Sequence, residues 1–438
     1  MTELRWLWAR LNANYWFYPA LLAIAAALLA SAMIWLDRNG FAEWLNDVNV
    51  IIPARPEGAS QMLTVIAGST IGVASTVFSI TIAAVAYASG NYGPRLLTNF
   101  MEDRGNQFSL ATFIATFVYA LIVLRSVRGE DEAASSASDA AATTLPGFVP
   151  QLSLLVAFAL MGLSVAVLVF FLNHIPASIR INTVLKDIGH RLLTDICRNF
   201  PDRANGAGEH PAPAGPPIHA EATGYIQLVD FEELAEVAEK QGCRLALEVR
   251  TGDFVHPGMP LARVCSGEMS DDLPGRVRQA FSIGASRTPS QDPQFLVDEL
   301  VEIGLRALSP GINDPFTAIT AIHWLGAATA ELGQRDLHQR IDGEEGEEGR
   351  VLPLPADFAH FVARGFGAVR SGVATSRLAS LVMLDTLRHA ARTLDDEARQ
   401  ALLRREGDRL LEQARLALEG PDLEEVEARH VLFAQALS

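Results

Sequence analysis

Four long stretches in the first half of the chain contain no Asp, Glu, Lys or Arg. They cover about residues 17–36, 61–89, 107–124 and 148–172. Each approaches or exceeds the ~20 residues that a helix needs to cross a ~30 Å hydrocarbon core. The pattern predicts four transmembrane helices. The first is interpreted as an anchor rather than a secretory signal, because it is long for the apolar part of a signal peptide.

The polar pattern changes after the fourth stretch. Apolar residues at helical spacing continue to about residue 200, which predicts a cytoplasmic exit helix. A Pro-, Gly- and Ala-rich segment over 201–217 predicts a linker. Short alternating runs and Gly/Pro turns over 218–270 predict a small β-rich unit, and helical periodicity returns over 271–438. The predicted fold is therefore an α-helical integral membrane protein, with a transmembrane domain over 1–200 followed by a cytosolic α+β domain.

Composition agrees with a membrane protein that carries a soluble part. The 438 residues are 49% hydrophobic and only 20% charged, and the formal net charge is −16. An acidic balance without a basic stripe argues against binding to nucleic acid. The few Arg and Lys residues near the spans are unevenly placed, which predicts that both termini are cytoplasmic. On the side predicted to be cytoplasmic lie Arg5, Arg10, Arg95, Arg104, Arg180, Lys186 and Arg191, against Arg38, Arg55, Arg125 and Arg128 opposite.

The second stretch carries small and hydroxylated side chains along one flank. At ~100° per residue they fall within an arc of roughly 140°. The candidate residues are Thr64, Gly68, Ser69, Gly72, Ser75, Thr76 and Ser79. One reading is tight helix packing, because Gly68 and Gly72 form a GxxxG pair that lets backbones approach closely. The other is that copies of this face surround a polar pathway in an oligomer. No charged residue lies inside the spans, which argues against a proton-driven transporter.

A polar elbow interrupts the helices of the C-terminal half at "RALSPGINDPFTAITAIHWL", residues 306–325. Arg306 is expected to pair with Glu302, and Asp314 to cap the next helix. Ile312 and Phe316 are expected to point inward. The elbow then sets the angle between two helices. Alternatively, its free N–H groups hold an anion or a partner carboxylate. The candidate residues for such a site are Arg287, Arg306, Ser309, Asn313 and Asp314.

Motifs for catalysis or metal binding are absent from the sequence. No P-loop, GxSxG, HExxH or EF-hand pattern occurs, so we expect no enzyme, no cofactor and no metal. His174 and His323 are interpreted as lone buried histidines. Residues 252–261 resemble a half-repeat of biotinyl- and lipoyl-type barrels, but no Lys stands at a turn to carry such a group.

Several segments together resemble a bacterial family of predicted membrane proteins, domain of unknown function 2254. The resemblance lies in residues 79–125, in 306–318, and in the pairs Arg287-Thr288 and Gln291-Asp292. It implies four membrane helices and a cytosolic domain, and no assigned activity. Separately from the resemblance, we expect a location in the bacterial inner (plasma) membrane.

Two functions follow as hypotheses. The first is an oligomeric channel-like protein that passes ions or small solutes, with a cytosolic regulatory domain. The alternative is a membrane-anchored sensor or scaffold that binds a cytosolic protein through its soluble domain. The expected partners are the lipid bilayer, further copies of the chain and, in the second case, a cytosolic protein.

Overall fold

The computed structural model describes residues 15–41, 55–93, 103–128, 148–202, 214–289, 291–337, 349–354 and 356–437. The chain forms two compact units, Met1–Arg180 and Ile181–Ser438. The predicted linker over 201–217 lies largely outside the described residues.

The first unit contains four apolar helices. They are α1 (Phe17–Arg38), α2 (Pro56–Tyr92), α3 (Arg104–Leu124) and α4 (Gln151–Ser178). All four are long and apolar enough to cross a membrane, and they coincide with the four apolar stretches of the sequence. Helix α3 packs against the other three and is the most buried of the set. Helix α2 has 37 residues, which at ~1.5 Å per residue makes it about 55 Å long and much longer than a hydrocarbon core.

Asp37, at the end of α1, holds the beginning of α4. Its carboxylate accepts hydrogen bonds from the backbone N–H of Leu152 at 3.0 Å and of Ser153 at 2.9 Å. The Ser153 hydroxyl donates a third bond at 2.6 Å. The first N–H groups of a helix lack partners within it, so Asp37 caps a neighbouring helix.

A second polar tie lies at the other end of α4. Asp103 caps α3 by accepting from the N–H of Gly105 at 2.7 Å, and its carboxylate lies 2.8 Å from His174 Nε2. A Cβ on Gly105 would lie 2.5 Å from that ring nitrogen, so glycine is needed for the approach. His174 is therefore not a lone histidine, and that prediction was wrong.

The second unit begins with α5 (Ile181–Asn199), which packs against helices of the same unit. Its Gly189 faces the indole of Trp324, where a Cβ would lie 2.2 Å from the ring. The sequence pattern groups this helix with the membrane segments up to residue 200. In the structure, the two units divide between Arg180 and Ile181, so that α5 belongs to the second unit.

Two small sheets follow. Their strands are β1 (Pro217–His219), β2 (Gly224–Val229), β3 (Arg244–Leu247), β4 (Phe254–Val255), β5 (Pro260–Ser266), β6 (Phe281–Gly284) and β7 (Val351–Leu352). One sheet has the order β1-β5-β3-β7 and the other β4-β2-β6. Helices α6 (Phe231–Lys240) and α7 (Leu273–Gln279) share their core, which includes Ile226, Leu234 and Leu245. The strands β6 and β7 extend this β unit beyond the predicted 218–270.

The remainder of the second unit is helical. It comprises α8 (Pro293–Ala307), α9 (Pro315–Gln334), α10 (Phe358–Val362), a π-helical turn (Ala363–Gly367), α11 (Ala368–Val373), α12 (Arg377–Arg392), α13 (Glu397–Ala417) and α14 (Gly420–Gln435). Acidic caps begin several of them: Asp292, Asp314 and Asp396 each accept from N–H groups of the following turn. Helix α9 packs against α5, α8 and α12 and so lies near the centre of this part of the unit.

Candidate functional site

The small-residue face of α2 points away from its own helical unit. All seven of its residues, from Thr64 to Ser79, are exposed on the single chain. The residues of α2 that are buried within the unit are Ala59, Leu63, Ile66, Ala67, Thr70, Ala74, Val77, Thr81 and Ala88. At ~100° per residue, the centres of these two sets are about 180° apart around the helix. The described neighbours of α2 in residues 15–41, 103–128 and 148–180 therefore leave this face uncovered.

Four of the five hydroxyl groups of this face are bonded within α2. Thr64 donates to the carbonyl of Ser60 at 2.8 Å and Thr76 to that of Gly72 at 3.1 Å. Ser79 donates to the carbonyl of Ser75 at 2.9 Å, and Ser69 to that of Ile66 at 3.1 Å. These bonds satisfy the hydroxyl protons without water. They leave the oxygen lone pairs directed outward as acceptors.

The glycines of the face have free space around them. A Cβ added to Gly68 or Gly72 would meet nothing within 4 Å. Packing among the described residues therefore requires neither glycine. Large apolar side chains flank the face instead, among them Ile71 and Phe78, which are 40% and 46% exposed.

The elbow between α8 and α9 has the predicted capping geometry. Asp314 accepts from the Thr317 N–H at 3.2 Å and from its hydroxyl at 2.6 Å. Arg306 pairs with Glu302 at 3.3 Å, which confirms the expected i,i+4 pair. The Ser309 hydroxyl donates to the Arg306 carbonyl at 2.6 Å, and Asn313 has a φ of 48°. The side chains of the elbow thus close its own turn.

Two residues of the elbow differ from expectation. Ile312 is 44% exposed and Phe316 is 71% exposed, so the prediction that both point inward was wrong. The reason lies in the helical phase of α9. Its buried residues include Ala318, Ala321 and Leu325. At ~100° per residue, Phe316 lies about 180° from the centre of that buried face.

Arg287 does not belong to the elbow. It precedes α8, whereas the elbow follows α8, and the 15 residues of that helix span about 22 Å. The structure therefore does not bring Arg287 together with Arg306 and Asp314. Its Nη2 bonds Asp292 Oδ2 and its Nη1 bonds Asp298 Oδ2, each at 2.5 Å.

Four residues form a buried ion-pair cluster, which we call the clasp: Arg287, Asp292, Asp298 and Arg364. Arg364 binds Asp298 in bidentate fashion, with Nε–Oδ1 at 2.6 Å and Nη2–Oδ2 at 2.7 Å. The side chains of Asp292 and Asp298 are only 1% and 13% exposed. The clasp joins the loop before α8, α8 itself and the π-helical turn. Bidentate Arg–carboxylate pairs are both strong and geometrically specific.

The turn of residues 250–253 from the β unit lies against the clasp. Gly252 has a φ of 90°, and a Cβ there would lie 2.2 Å from Asp292 Oδ2. The loop before α8 is attached to strand β2 by the side chain of Gln291. This side chain accepts a hydrogen bond from the N–H of Val229 at 3.1 Å and donates one to the Val229 carbonyl at 3.3 Å. Thr251 donates to the Gln291 carbonyl at 2.7 Å. The β unit and the helices of the second unit therefore meet at this point.

Burial and neighbouring charges both shift the pKa values of the titratable groups in and near the clasp, and their relative weight differs from group to group. Burial raises the pKa of Asp292, although Arg287 opposes it. Burial also opposes ionisation of Asp298, but hydrogen bonds and charge from Arg364 and Arg287 prevail and lower its pKa. The nearby His360 has a lowered pKa because of burial first, and then because of the charges of Arg250 and Arg364.

A cavity of about 250 Å³ lies on the other side of the same turn. Its walls come from the end of α5, the β unit and the loop after β7. It is lined by Arg198, Asn199, Val229, Phe231, Leu247, Val249, Arg250, Thr251, Gln291, Pro353 and Leu354. The sequence pattern did not identify this cavity or the clasp. The only available signal was that Arg287 and Gln291-Asp292 belong to the motifs of the family resemblance.

The sequence matches the predicted membrane protein family DUF2254 over residues 12–389. The chain belongs to this family. It is 31% identical over 356 residues to an uncharacterized protein of Mycobacterium bovis, and equally to one of Mycobacterium tuberculosis. These matches cover 79% of this chain and 66% of each relative, so the chain spans less than two thirds of their length. No solved structure matches the fold.

Membership of DUF2254 and the four apolar helices together indicate a multi-pass location in a membrane. Two further features of this DUF2254 chain concern His323 and the cysteines. His323 is exposed, so its interpretation as a buried residue was wrong. The cysteines Cys197, Cys243 and Cys265 are free thiols.

Proposed function

We propose that this protein self-associates in the membrane through the small-residue face of α2, and that the assembly conducts small ions or polar solutes. The second unit would act as its regulatory part. The single observation that carries the proposal is the direction of the face. In an isolated chain, the side of a transmembrane helix opposite its own bundle contacts lipid. Small residues are typical of helix–helix interfaces in membranes, and here they occupy that side.

The open glycines support a second copy of the chain as the partner. A Cβ on Gly68 or Gly72 would meet nothing within 4 Å among the described residues, so no described neighbour requires glycine at either position. Between two copies of α2, the same residues would let the backbones approach and exchange dispersion contacts. The large flanking side chains, such as Ile71 and Phe78, lie about 100° around the helix from the centre of the face and would remain outside the closest contact.

The hydroxyl groups support a conducting role and suggest its selectivity. Each hydroxyl that donates to its own helix offers only acceptor lone pairs to its surroundings. A lumen lined by acceptors stabilises cations and disfavours anions. Because no span carries a charged side chain in its interior, conduction would be passive.

Flux measurements on reconstituted vesicles test this proposal. We expect the wild-type protein to release K⁺ faster than Cl⁻, and Ser79→Leu to block release by filling the lumen. Phe78→Leu changes an exposed position outside the small-residue face and should leave the flux within about twofold. Absence of K⁺ and solute flux in the wild-type protein would remove the conducting role.

Self-association is tested separately from conduction. Counting subunits of the labelled wild-type protein in nanodiscs should give more than one copy, and Gly72→Leu should shift the count toward one. Copies that associate without flux would contradict conduction and leave a structural role for the face. A single copy under all conditions would contradict both parts of the proposal.

The alternative, a membrane-anchored sensor or scaffold, is favoured by the exposed apolar residues of the elbow. Ile312 and Phe316 present apolar surface next to a turn that is closed by its own hydrogen bonds. Such a site suits a protein partner that offers an apolar side chain. Copurification of a defined partner should be lost with Phe316→Ser and retained with Leu416→Ser, which alters an isolated side chain that is 89% exposed. Loss with both variants, or with neither, would contradict this alternative.

We further propose a non-enzymatic protein of the bacterial inner membrane, with both termini in the cytoplasm. The uneven distribution of Arg and Lys around the spans supports this orientation. The exposed Cys197 provides a native label. A membrane-impermeant maleimide should react with it in inverted vesicles and not in intact spheroplasts. The reverse pattern would overturn the orientation.

A further inference from the structure

The cavity beside the turn of residues 250–253 combines apolar walls with cationic groups. Its apolar residues come from β2, α6, the end of β3 and the loops after β3 and β7: Val229, Phe231, Leu247, Val249, Pro353 and Leu354. The volume of about 250 Å³ corresponds to roughly eight water molecules at ~30 Å³ each. It is smaller than the ~300–1,000 Å³ of pockets for drug-sized ligands. Only a small molecule would fit.

Two of the polar residues that line the cavity are already engaged in structural bonds. Thr251 donates its hydroxyl to the Gln291 carbonyl at 2.7 Å. The Gln291 amide is held by Val229 through two hydrogen bonds at 3.1 and 3.3 Å. These groups form a rigid part of the wall. Recognition of a ligand charge therefore depends on the two arginines.

Arg250 is the better placed of the two guanidinium groups. Its backbone N–H bonds Asp253, but within the described chain its side chain has no hydrogen-bond or ion-pair partner. Arg198 has only a long contact of 3.8 Å to Asp195. Most other arginines of the second unit, such as Arg287 and Arg364, are paired closely with carboxylates. A guanidinium that lines a cavity and has no carboxylate partner among the described residues is available to a bound anion.

We infer that this cavity binds a small organic anion, a phosphate ester or carboxylate with a compact apolar body. The guanidinium of Arg250 would bind the anionic group through paired N–H donors, with Arg198 adding charge at the exposed side. The apolar residues would cover the body of the ligand. This inference does not depend on self-association through α2.

The position of the cavity gives its occupation a direct structural consequence. Arg250 and Thr251 face the cavity, whereas Gly252 of the same turn packs against Asp292 of the clasp. A ligand that holds Arg250 would therefore stabilise the turn through which the β unit contacts the helices of the second unit. Binding should be detected as a higher thermal midpoint as well as by heat release.

The experiment is calorimetric titration of the full chain in nanodiscs with four compounds. Phenyl phosphate and benzoate carry both an anion and an apolar body. Inorganic phosphate carries only the charge, and phenol only the ring. We expect saturable binding of phenyl phosphate or benzoate with one site per chain, at least tenfold tighter than binding of inorganic phosphate and of phenol. Tighter binding of phenyl phosphate would identify the anionic group as a phosphate ester, and tighter binding of benzoate would identify it as a carboxylate.

Three variants locate the site. Arg250→Gln should weaken binding at least tenfold, and Arg250→Lys by less, because lysine keeps the charge but not the planar fork. Leu354→Ser alters a half-buried wall residue and should weaken phenyl phosphate while leaving inorganic phosphate unchanged. Arg405→Gln removes the same charge from an exposed position of α13 and serves as the control.

Clear outcomes overturn the inference. It fails if no compound binds saturably, if Arg250→Gln binds as the wild type does, or if Arg405→Gln weakens binding equally. If Arg250→Gln does not fold, the comparison of Arg250→Lys and Leu354→Ser with the control decides. Equal binding of inorganic phosphate and phenyl phosphate would contradict the apolar part of the site.

Discussion

The first unit, with its four apolar helices, and the second unit differ in where their polar side chains lie and in what those side chains bond. On α2, the hydroxyls of Thr64, Thr76 and Ser79 bond carbonyls of their own helix and face outward. In the clasp, Asp292 and Asp298 are buried and bond arginines from other segments. A local bond satisfies a hydroxyl in lipid without fixing any neighbour. A long-range buried pair fixes several segments at once, because each partner depends on the others.

Loss of the central carboxylate of the clasp should have the largest effect. Asp298→Asn leaves Arg287 and Arg364 without their shared counter-charge, and removing one partner of a buried pair costs about 3–5 kcal/mol. The free energy of unfolding, measured by thermal or urea denaturation of the full chain in detergent, checks this. Glu425→Gln breaks an exposed pair with Arg377 and should cost less than about 1 kcal/mol. Equal losses of unfolding free energy in the two variants would contradict the expectation that the buried pair contributes more than the exposed one.

Gly252→Ala should cause the second-largest loss of unfolding free energy, because it combines backbone strain with a steric clash. A non-glycine residue at positive φ costs about 1–3 kcal/mol, and here the Cβ also meets Asp292. Gly258 is a matched control, since its φ of 92° is nearly the same and a Cβ there would meet nothing within 4 Å. We expect Gly258→Ala to lower the unfolding free energy by the strain alone. If both variants lose the same stability, the close approach to the clasp is unimportant.

In the first unit, two glycine-to-alanine variants should change the free energy of unfolding in different directions. Gly105→Ala forces a Cβ against His174 and should destabilise the unit by about 1–3 kcal/mol, as overpacking does. Gly162→Ala lies on α4 with nothing within 4 Å and should be neutral or stabilising by up to about 1 kcal/mol. Unfolding in mixed micelles measures both. A stabilising Gly105→Ala would show that α3 and α4 are not tied through His174.

The two carboxylates of the clasp should respond to pH in opposite directions. Asp298 has a lowered pKa, so its ionised form stabilises the folded state above the ordinary value of ~3.9, and this is lost as the pH falls. Asp292 has a raised pKa, so its contribution is largest at low pH and is lost as the pH rises through the raised value. The stability gap between wild type and Asp298→Asn should therefore narrow as the pH falls below the ordinary value of ~3.9 and through the lowered pKa of Asp298. A constant gap would contradict the ionic character of that pair.

The smallest effect is expected at the elbow. Arg306 is 37% exposed and pairs with Glu302 within one helix, so Arg306→Ala should lower the unfolding free energy by less than about 0.5 kcal/mol. The same denaturation assay measures it. A loss above about 1 kcal/mol would show that Arg306 has a tertiary role.

The contrast between local and long-range bonds also explains what could be predicted from the sequence. The four spans, the Asp314 cap and the Arg306–Glu302 pair depend on residues within a few positions of one another, and their spacing alone predicts them. The burial of Phe316 depends on which side of α9 meets α5, α8 and α12, so it was predicted wrongly. The clasp joins Asp298 to Arg364 across 66 positions, which no spacing rule anticipates.

Cysteine cross-linking in native membranes tests the central claim most directly, namely that the small-residue face of α2 meets a second copy. Ser79→Cys lies near the centre of the face and Phe78→Cys lies about 100° away around the helix. Cys197 would be replaced by Ser, since it is an exposed thiol. We predict a disulfide-linked dimer for Ser79→Cys and little for Phe78→Cys under mild oxidation. Efficient cross-linking of Phe78→Cys, with none for Ser79→Cys, would contradict the proposal.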